Sequence, residues 1–92
     1  MDESLSEDYV VRPGRSLVVW TREKSRGARF KVRTDVAVTL YCEGPNGPVA
    51  MSPTKLEHEF DVRTEKPTRL TLRVQNASGT RKARITCEVS GG

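Results

Sequence analysis

Three side chains in this 92-residue chain suit covalent catalysis: the single histidine, His58, and the two cysteines, Cys42 and Cys87. A thiolate beside an imidazole would make a nucleophile–base dyad. All three residues fall in phase with the apolar positions of alternating segments, on the face that a sheet buries. A working dyad needs an exposed thiolate next to its base, so the phase favours a structural histidine over catalysis. Ser-His-acid chemistry has its residue types, but no serine sits in a nucleophile elbow. The cysteines admit two readings. One is a disulfide between Cys42 and Cys87, closing a loop of about 46 residues. The other is a pair of buried free thiols acting as small hydrophobes. One histidine and two cysteines fall short of a structural zinc set, and neither metal nor cofactor is expected.

Charged residues offer binding rather than bond-making. Glu57, Glu59 and Asp61 form an acidic stripe two residues apart. Paired carboxylates serve glycoside hydrolysis or calcium binding, but calcium loops draw their ligands from turns. The simpler reading makes them partners of neighbouring arginines. Eleven Arg and five Lys outnumber the acids. Arg29, Lys31 and Arg33 share one strand face, Arg69 and Arg73 a second, Lys82 and Arg84 a third. These seven are the candidate binding residues. Their partner is expected to be a protein, with an anionic one the best match, and nucleic acid is the alternative. Single-strand binders add aromatic platforms for stacking. Of five aromatics here, Phe30, Phe60 and Trp20 read as core, which leaves Tyr9 and Tyr41. The competing reading is a solvated sheet face with charged edges that block aggregation.

The elements that must position these residues are strands. Val is the commonest apolar residue, with eleven, and nine Thr add to the β-branched total. A short strand is predicted at 9–12, then a type II turn at Pro13-Gly14. A strand at 16–23, apolar on both faces in its middle, reads as central. Period-two alternation marks 28–34, 36–42, 56–62, 69–75 and 82–89, with a short apolar stretch, Val49-Ala50-Met51, after the turn at 44–48. If consecutive strands pair, Glu59, Arg73 and Arg84 form one cross-strand row. Asn76-Ala77-Ser78 fits both a glycosylation pattern and a turn. Together these predict a single all-β domain over 9–90: an antiparallel β-sandwich of seven or eight short strands, jelly-roll-like or Ig-like. Residues 1–8 read as a disordered acidic tail and 91–92 as a short C-terminal tail. Dropping Asp2, Glu3, Glu7 and Asp8 raises the net charge from +4 to +8.

Two stretches carry a family resemblance. Val36-Ala37-Val38-Thr39-Leu40-Tyr41, followed by Gly44-Pro45-Asn46-Gly47-Pro48-Val49-Ala50, resembles the strand–turn–strand of bacterial prepeptidase C-terminal domains. Leu70 to Ser78, continuing to Lys82 and Val89, is similar to the closing hairpin of GOLD (Golgi dynamics) domains, as is Trp20 ending the apolar run Leu17-Val18-Val19. Both families are jelly-roll-like sandwiches used as accessory or protein-binding modules. The resemblance therefore implies a non-catalytic module acting through a basic sheet face or the loops at one end. The alternatives are a nucleic-acid-binding module on the Arg-rich faces, or a structural subunit of a larger assembly such as a virion or secretion apparatus. An enzyme is the least expected. The longest apolar run has four residues, so no membrane span is expected. With no charged-then-apolar leader, the expected location is cytoplasmic, or extracellular if a leader has been removed.

Overall fold

The computed structural model describes residues 5–91. Six strands follow one another: β1 (Leu5–Val11), β2 (Ser16–Lys24), β3 (Gly27–Gly44), β4 (Gly47–Arg63), β5 (Thr68–Asn76) and β6 (Ala83–Ser90). Their antiparallel pairing is nested. β3 pairs with β4, β2 with β5 and β1 with β6. The result is one long ribbon, closed where Gly44 faces Gly47 and ending where Leu5 faces Val89. The ribbon curls on itself. The second edge of β3 pairs with β6 along Arg29–Thr34 and with β5 along Val38–Glu43. One half of the sheet is thus β1–β6–β3–β4, built on the start of β3. The other is β2–β5–β3–β4, built on its end.

The curl is made at residues 34–37. Between Arg33↔Glu57 and Val38↔Lys55, β3 advances five residues while β4 advances two, so β3 bulges and bends. Thr34 Oγ1 donates to Val36 O at 2.7 Å and accepts from Val36 N at 3.2 Å. Asp35 Oδ1 accepts from Arg84 N at 2.8 Å. The burial phase survives the bend: Phe30, Val32, Val36, Val38, Leu40 and Cys42 all face inward. The predicted segments 28–34 and 36–42 are therefore one strand. Residues 49–51 and 56–62 likewise belong to the single strand β4. Six strands stand where the sequence reads seven or eight.

Four further expectations change. β2 lies at the end of the strand order rather than in its centre, and Leu17 and Val18 are exposed. Its double-apolar middle has another cause. The register slips between Val18 and Trp20, and this bulge buries Val19 and Trp20 in succession. Consecutive strands after β4 do not pair, so the Glu59–Arg73–Arg84 row does not form. Glu59 faces Lys31, Arg73 faces Val18 and Tyr41, and Arg84 faces Val10. Leu56, which the alternation over 56–62 puts in phase with His58, Phe60 and Val62, is 51% exposed because it sits in the register slip between Lys55 and Glu57. Residues 5–8, read from sequence as the end of an acidic tail, are the first half of β1 and pair with β6. Residues 1–4 lie outside the described residues, as does Gly92.

Local chemistry fits the placement. Pro48 and Pro53 sit in β4, which among the described residues pairs only with β3 and so is an edge strand, the place where a sheet tolerates proline. Gly14 has φ 68°, as the second turn position after Pro13 requires, and Arg15 N closes the turn on Arg12 O at 3.1 Å. At Gly27 (φ 115°) a Cβ would lie 1.9 Å from Val62 O, so only glycine fits where β3 leaves the β2 turn. Asn76 is fully buried. Its Nδ2 donates to Val11 O (3.1 Å) and Arg81 O (2.7 Å), and its Oδ1 accepts from Ser78 N (3.0 Å). That amide ties β5 to β1 and is closed to glycosylation in the folded chain, so Asn76-Ala77-Ser78 is a turn.

The core lies between the two halves. Leu40, Leu70, Leu72, Val74, Val32, Val38 and Phe30 have no exposed surface, and Ile85 is 1% exposed. Trp20 of one half meets Phe30 of the other edge-on, with centroids 5.2 Å apart and planes at 80°. Phe60 lies 5.2 Å from Phe30 on its other side but is only partly buried. Phe30→Ala should therefore cost about 3–5 kcal/mol, and Phe60→Ala measurably less. Denaturant midpoints of the two variants check this order, and equal midpoints would contradict it.

Candidate functional site

The seven candidate basic residues do not converge. Arg29, Lys31, Arg33 and Arg84 stand on the outer face of the β1–β6–β3–β4 half, while Arg69 and Arg73 stand on the other half. Lys82 precedes β6. On the first half each basic side chain of β3 falls in a row with acids. Lys31 lies between Glu59 and Glu88, and Arg33 lies between Glu57 and Thr86. Arg29 faces Asp61, with Nε 2.8 Å from Oδ1 and a second contact at 3.5 Å. The guanidinium holds the Asp61 carboxyl below its ordinary range, chiefly through that hydrogen bond. Both groups are well exposed, so the pair adds little stability. The acidic stripe Glu57–Glu59–Asp61 of β4 runs beside the basic stripe Arg29–Lys31–Arg33 of β3, so charge on this face alternates from strand to strand.

The outer face of the β2–β5–β3–β4 half differs in kind. Pairing across four strands makes the row Met51–Tyr41–Arg73–Val18. Met51 is 60% and Val18 44% exposed, and Tyr41 is half-buried between Met51 and Arg73. Arg73 Nε bonds Glu43 Oε1 at 2.8 Å, so its charge is met within the chain. Threonines flank the row: Thr21 Oγ1 lies 3.1 Å from Thr71 Oγ1, and Thr39 Oγ1 lies 2.5 Å from Thr54 Oγ1. Tyr9 packs against the core, and its hydroxyl donates to Glu7. Burial pushes that phenol up to about 12. Tyr41 is left as the aromatic of the outer faces. Its sequence signal is its phase: it alternates with the buried Leu40 and Cys42. Met51 and Val18 carry no such signal, because only the pairing across β4, β3, β5 and β2 brings them beside it.

His58 lies where β4 turns the corner. Its Nε2 is 3.0 Å from Lys55 O, and its Nδ1 is 2.6 Å from Ser52 Oγ. A carbonyl can only accept, so Nε2 carries the hydrogen and the neutral ring accepts from the Ser52 hydroxyl at Nδ1. That is the hydrogen bond of a nucleophile–base pair, one the sequence reading did not anticipate for Ser52. Ser52 is 6% and His58 2% exposed. The cleft beside His58 is lined by Lys31, Arg33, Lys55, Glu57 and Glu59 but not by Ser52. The hydroxyl is thus buried and does not open into that cleft. What the pair does is satisfy polar groups where β4 leaves its register with β3. Burial holds the imidazole below its ordinary range.

Cys42 and Cys87 are free and buried, not bridged. Cys42 pairs with Leu72 in one half, and Cys87 pairs with Val32 in the other, on opposite sides of the bend in β3. Burial pushes their thiols up to about 11 and about 12 respectively, so both stay protonated at neutral pH. Among the described residues no cluster of three or more His, Cys, Asp or Glu side chains is placed to hold a metal ion. Nor is any helix among them long and apolar enough to cross a membrane.

A scan against protein-family models finds no match, and a search of curated proteins finds none. Among solved structures, the chain is similar to one described as the solution NMR structure of a de novo designed double-stranded beta-helix. The match has a TM-score of 0.51 at 18% identity and covers 95% of this chain and 99% of that one. At that identity the likeness concerns the fold alone.

Two outcomes test this local chemistry. The unfolded state takes up a proton near pH 6.5, while the folded imidazole takes it up only at lower pH. Stability should thus be full above about 6.5 and fall as the pH drops below it, by at most about 1.4 kcal/mol per unit. His58 is the sole imidazole, so in urea titrations the slope between pH 7 and 5.5 should flatten in His58→Asn. The thiols should be silent to Ellman's reagent in the native chain and both react in denaturant without reductant. Fast native reaction would contradict their burial.

Proposed function

We propose that this chain is a non-catalytic protein-binding module whose partner sits on the outer face of the β2–β5–β3–β4 half. The observation that carries the reading is the row Met51–Tyr41–Arg73–Val18. Interface cores are enriched in Tyr, Met and Arg and depleted in Lys, Glu and Asp. Tyr41 presents a large surface at low entropic cost, since it is already held between two neighbours. Glu43 answers the charge of Arg73 within the chain, so the partner need not supply a carboxylate there. Thr21, Thr71 and Thr54 around the row offer hydroxyls for a polar rim. The partner is accordingly a protein with a largely uncharged docking surface.

The basic residues support the nucleic-acid alternative less well. A phosphate backbone laid along Arg29, Lys31 and Arg33 would also meet Asp61, Glu59, Glu57 and Glu88. Repulsion from these carboxylates would offset the counterion release that drives such binding. We read the architecture further as a jelly-roll-like sandwich in which β3 and β4 each serve both sheets. The likeness to a double-stranded β-helix supports this. A small sandwich without a catalytic pocket is also what the GOLD-like and prepeptidase C-terminal-like stretches imply.

The immobilised chain should retain a protein from extracts of its native host. Tyr41→Ala or Met51→Glu should weaken that interaction tenfold or more, the loss of one interface anchor. Arg29→Gln with Lys31→Gln should leave it intact. Thermal unfolding of each variant separates lost binding from lost folding. A mixed-sequence single-stranded oligonucleotide should not bind at physiological salt. Oligonucleotide binding that weakens in the Arg29/Lys31 variant would overturn the assignment of the face.

A further inference from the structure

A cleft of about 390 Å³ opens at the seam between the two halves, beside the connection from β4 to β5. Its walls are apolar: Val49 from the start of β4, Val62 from its end, Leu70 and the methyl of Thr68 from β5. Val49 is 54% exposed. A lone exposed valine is ordinary, but here it stands beside the half-buried Thr68, with the buried side chains of Val62 and Leu70 as the floor beneath. Gly44 helps to keep the space open. A Cβ at that position would lie 3.3 Å from Val49 Cγ1 and 4.0 Å from Thr68 Cγ2.

The rim is cationic. Arg63 and Lys66 both line the cleft, against one carboxylate, Glu65. Among the described residues neither cation is in an ion pair. The connection that carries them is anchored. Thr64 N donates to Arg26 O at 3.1 Å, and Thr68 Oγ1 donates to Lys66 O at 2.9 Å. Anchored backbone reduces the entropy a ligand must overcome to order the rim. The volume falls within the range of small-molecule sites, roughly 300–1,000 Å³.

Apolar walls beneath a net-positive rim match one class of ligand. We propose that the cleft binds a small amphiphilic anion, with an unbranched alkyl chain against Val49 and the Thr68 methyl, over the buried floor of Val62 and Leu70, and a carboxylate held by Arg63 and Lys66. This site lies apart from the Tyr41 face and does not depend on it. Each methylene buried should tighten binding about fourfold until the cleft is filled. Replacing the carboxylate by a hydroxyl or an ammonium should weaken it.

The test is a titration of the full chain with hexanoate, heptanoate and octanoate below their micelle concentrations, followed by backbone amide NMR. Shifts should centre on Gly44, Val49 and Thr68, with affinity rising about fourfold per methylene. Octanol and octylamine should bind at least tenfold more weakly than octanoate. Lys66→Glu should remove the preference for the anion, and Val49→Asp should abolish binding. Both side chains are exposed, so both variants should keep the parent's unfolding midpoint. Tyr41→Ala should bind octanoate as the parent does, which separates this site from the protein-docking face. The proposal fails if no saturable shift appears, if octanol matches octanoate, or if the shifts centre on Met51 and Tyr41. It fails equally if anionic vesicles bind while free octanoate does not, since that would mark a charged surface rather than a cleft.

Discussion

The structure depends on β3 using one backbone edge twice. Along Arg29–Thr34 that edge pairs with β6, and along Val38–Glu43 with β5. A straight strand could not do both, because its two partners belong to halves that face each other across the core. The bulge between Arg33 and Val38, with Thr34 and Asp35 bonding the freed backbone, converts a flat ribbon into a curled one. Curling then brings Trp20 onto Phe30, whose ladder partner is Phe60, and leaves the apolar phase of β3 unbroken. The ribbon itself ends in the pairing of β1 with β6, which joins residues far apart in sequence. Such contacts are costly to close early, so slow folding is the physical expectation.

The same curl sorts the surface. Residues that alternate with the core emerge on two outer faces with different neighbours. On one face β3 presents Arg29, Lys31 and Arg33 to the carboxylates of β4 and β6, and the charges cancel locally. On the other it presents Thr39, Tyr41 and Glu43 to Met51, Arg73 and Thr71. The formal excess of +4 is therefore not gathered into a field over one sheet face. A chain that looks basic by count has a balanced first face and a nearly neutral second one, and the neutral one is better suited to desolvation by a protein partner.

Buried polar chemistry in this fold serves the corners. His58 with Ser52 and Lys55 O satisfies β4 where its ladder slips, and Asn76 closes the end of β5 onto β1. Every buried side-chain nitrogen and oxygen among the described residues has a partner. The reactive residue types are thus held in states that blunt reactivity: a neutral imidazole and two protonated thiols. Desolvation is the first cause of all three, and it follows from the inward phase of those positions.

Which face each residue takes was legible in the sequence wherever strands are regular. The alternation in 28–34, 69–75 and 82–89 marks Phe30, Val32, Leu70, Leu72, Val74, Ile85 and Cys87 as inward, and all are buried. Period two is a property of the backbone, so it needs no knowledge of neighbours. Pro13-Gly14 and the turn at 44–48 were legible for the same local reason. Partners were not. Hydrogen bonding between strands carries almost no residue code, so nothing in Arg73 or Arg84 shows that β5 and β6 lie apart. The bend at 34–37 keeps the phase and so hides the fact that one strand spans two halves. The bulge at Val18–Trp20 imitates a central strand, because two successive buried residues look alike whether caused by two-sided burial or by a slip in register. The candidate sites divide along the same line. That Tyr41 points outward was readable from phase, but its neighbours Met51 and Val18, and the cleft that joins Val49 to Leu70, exist only once the ribbon has curled.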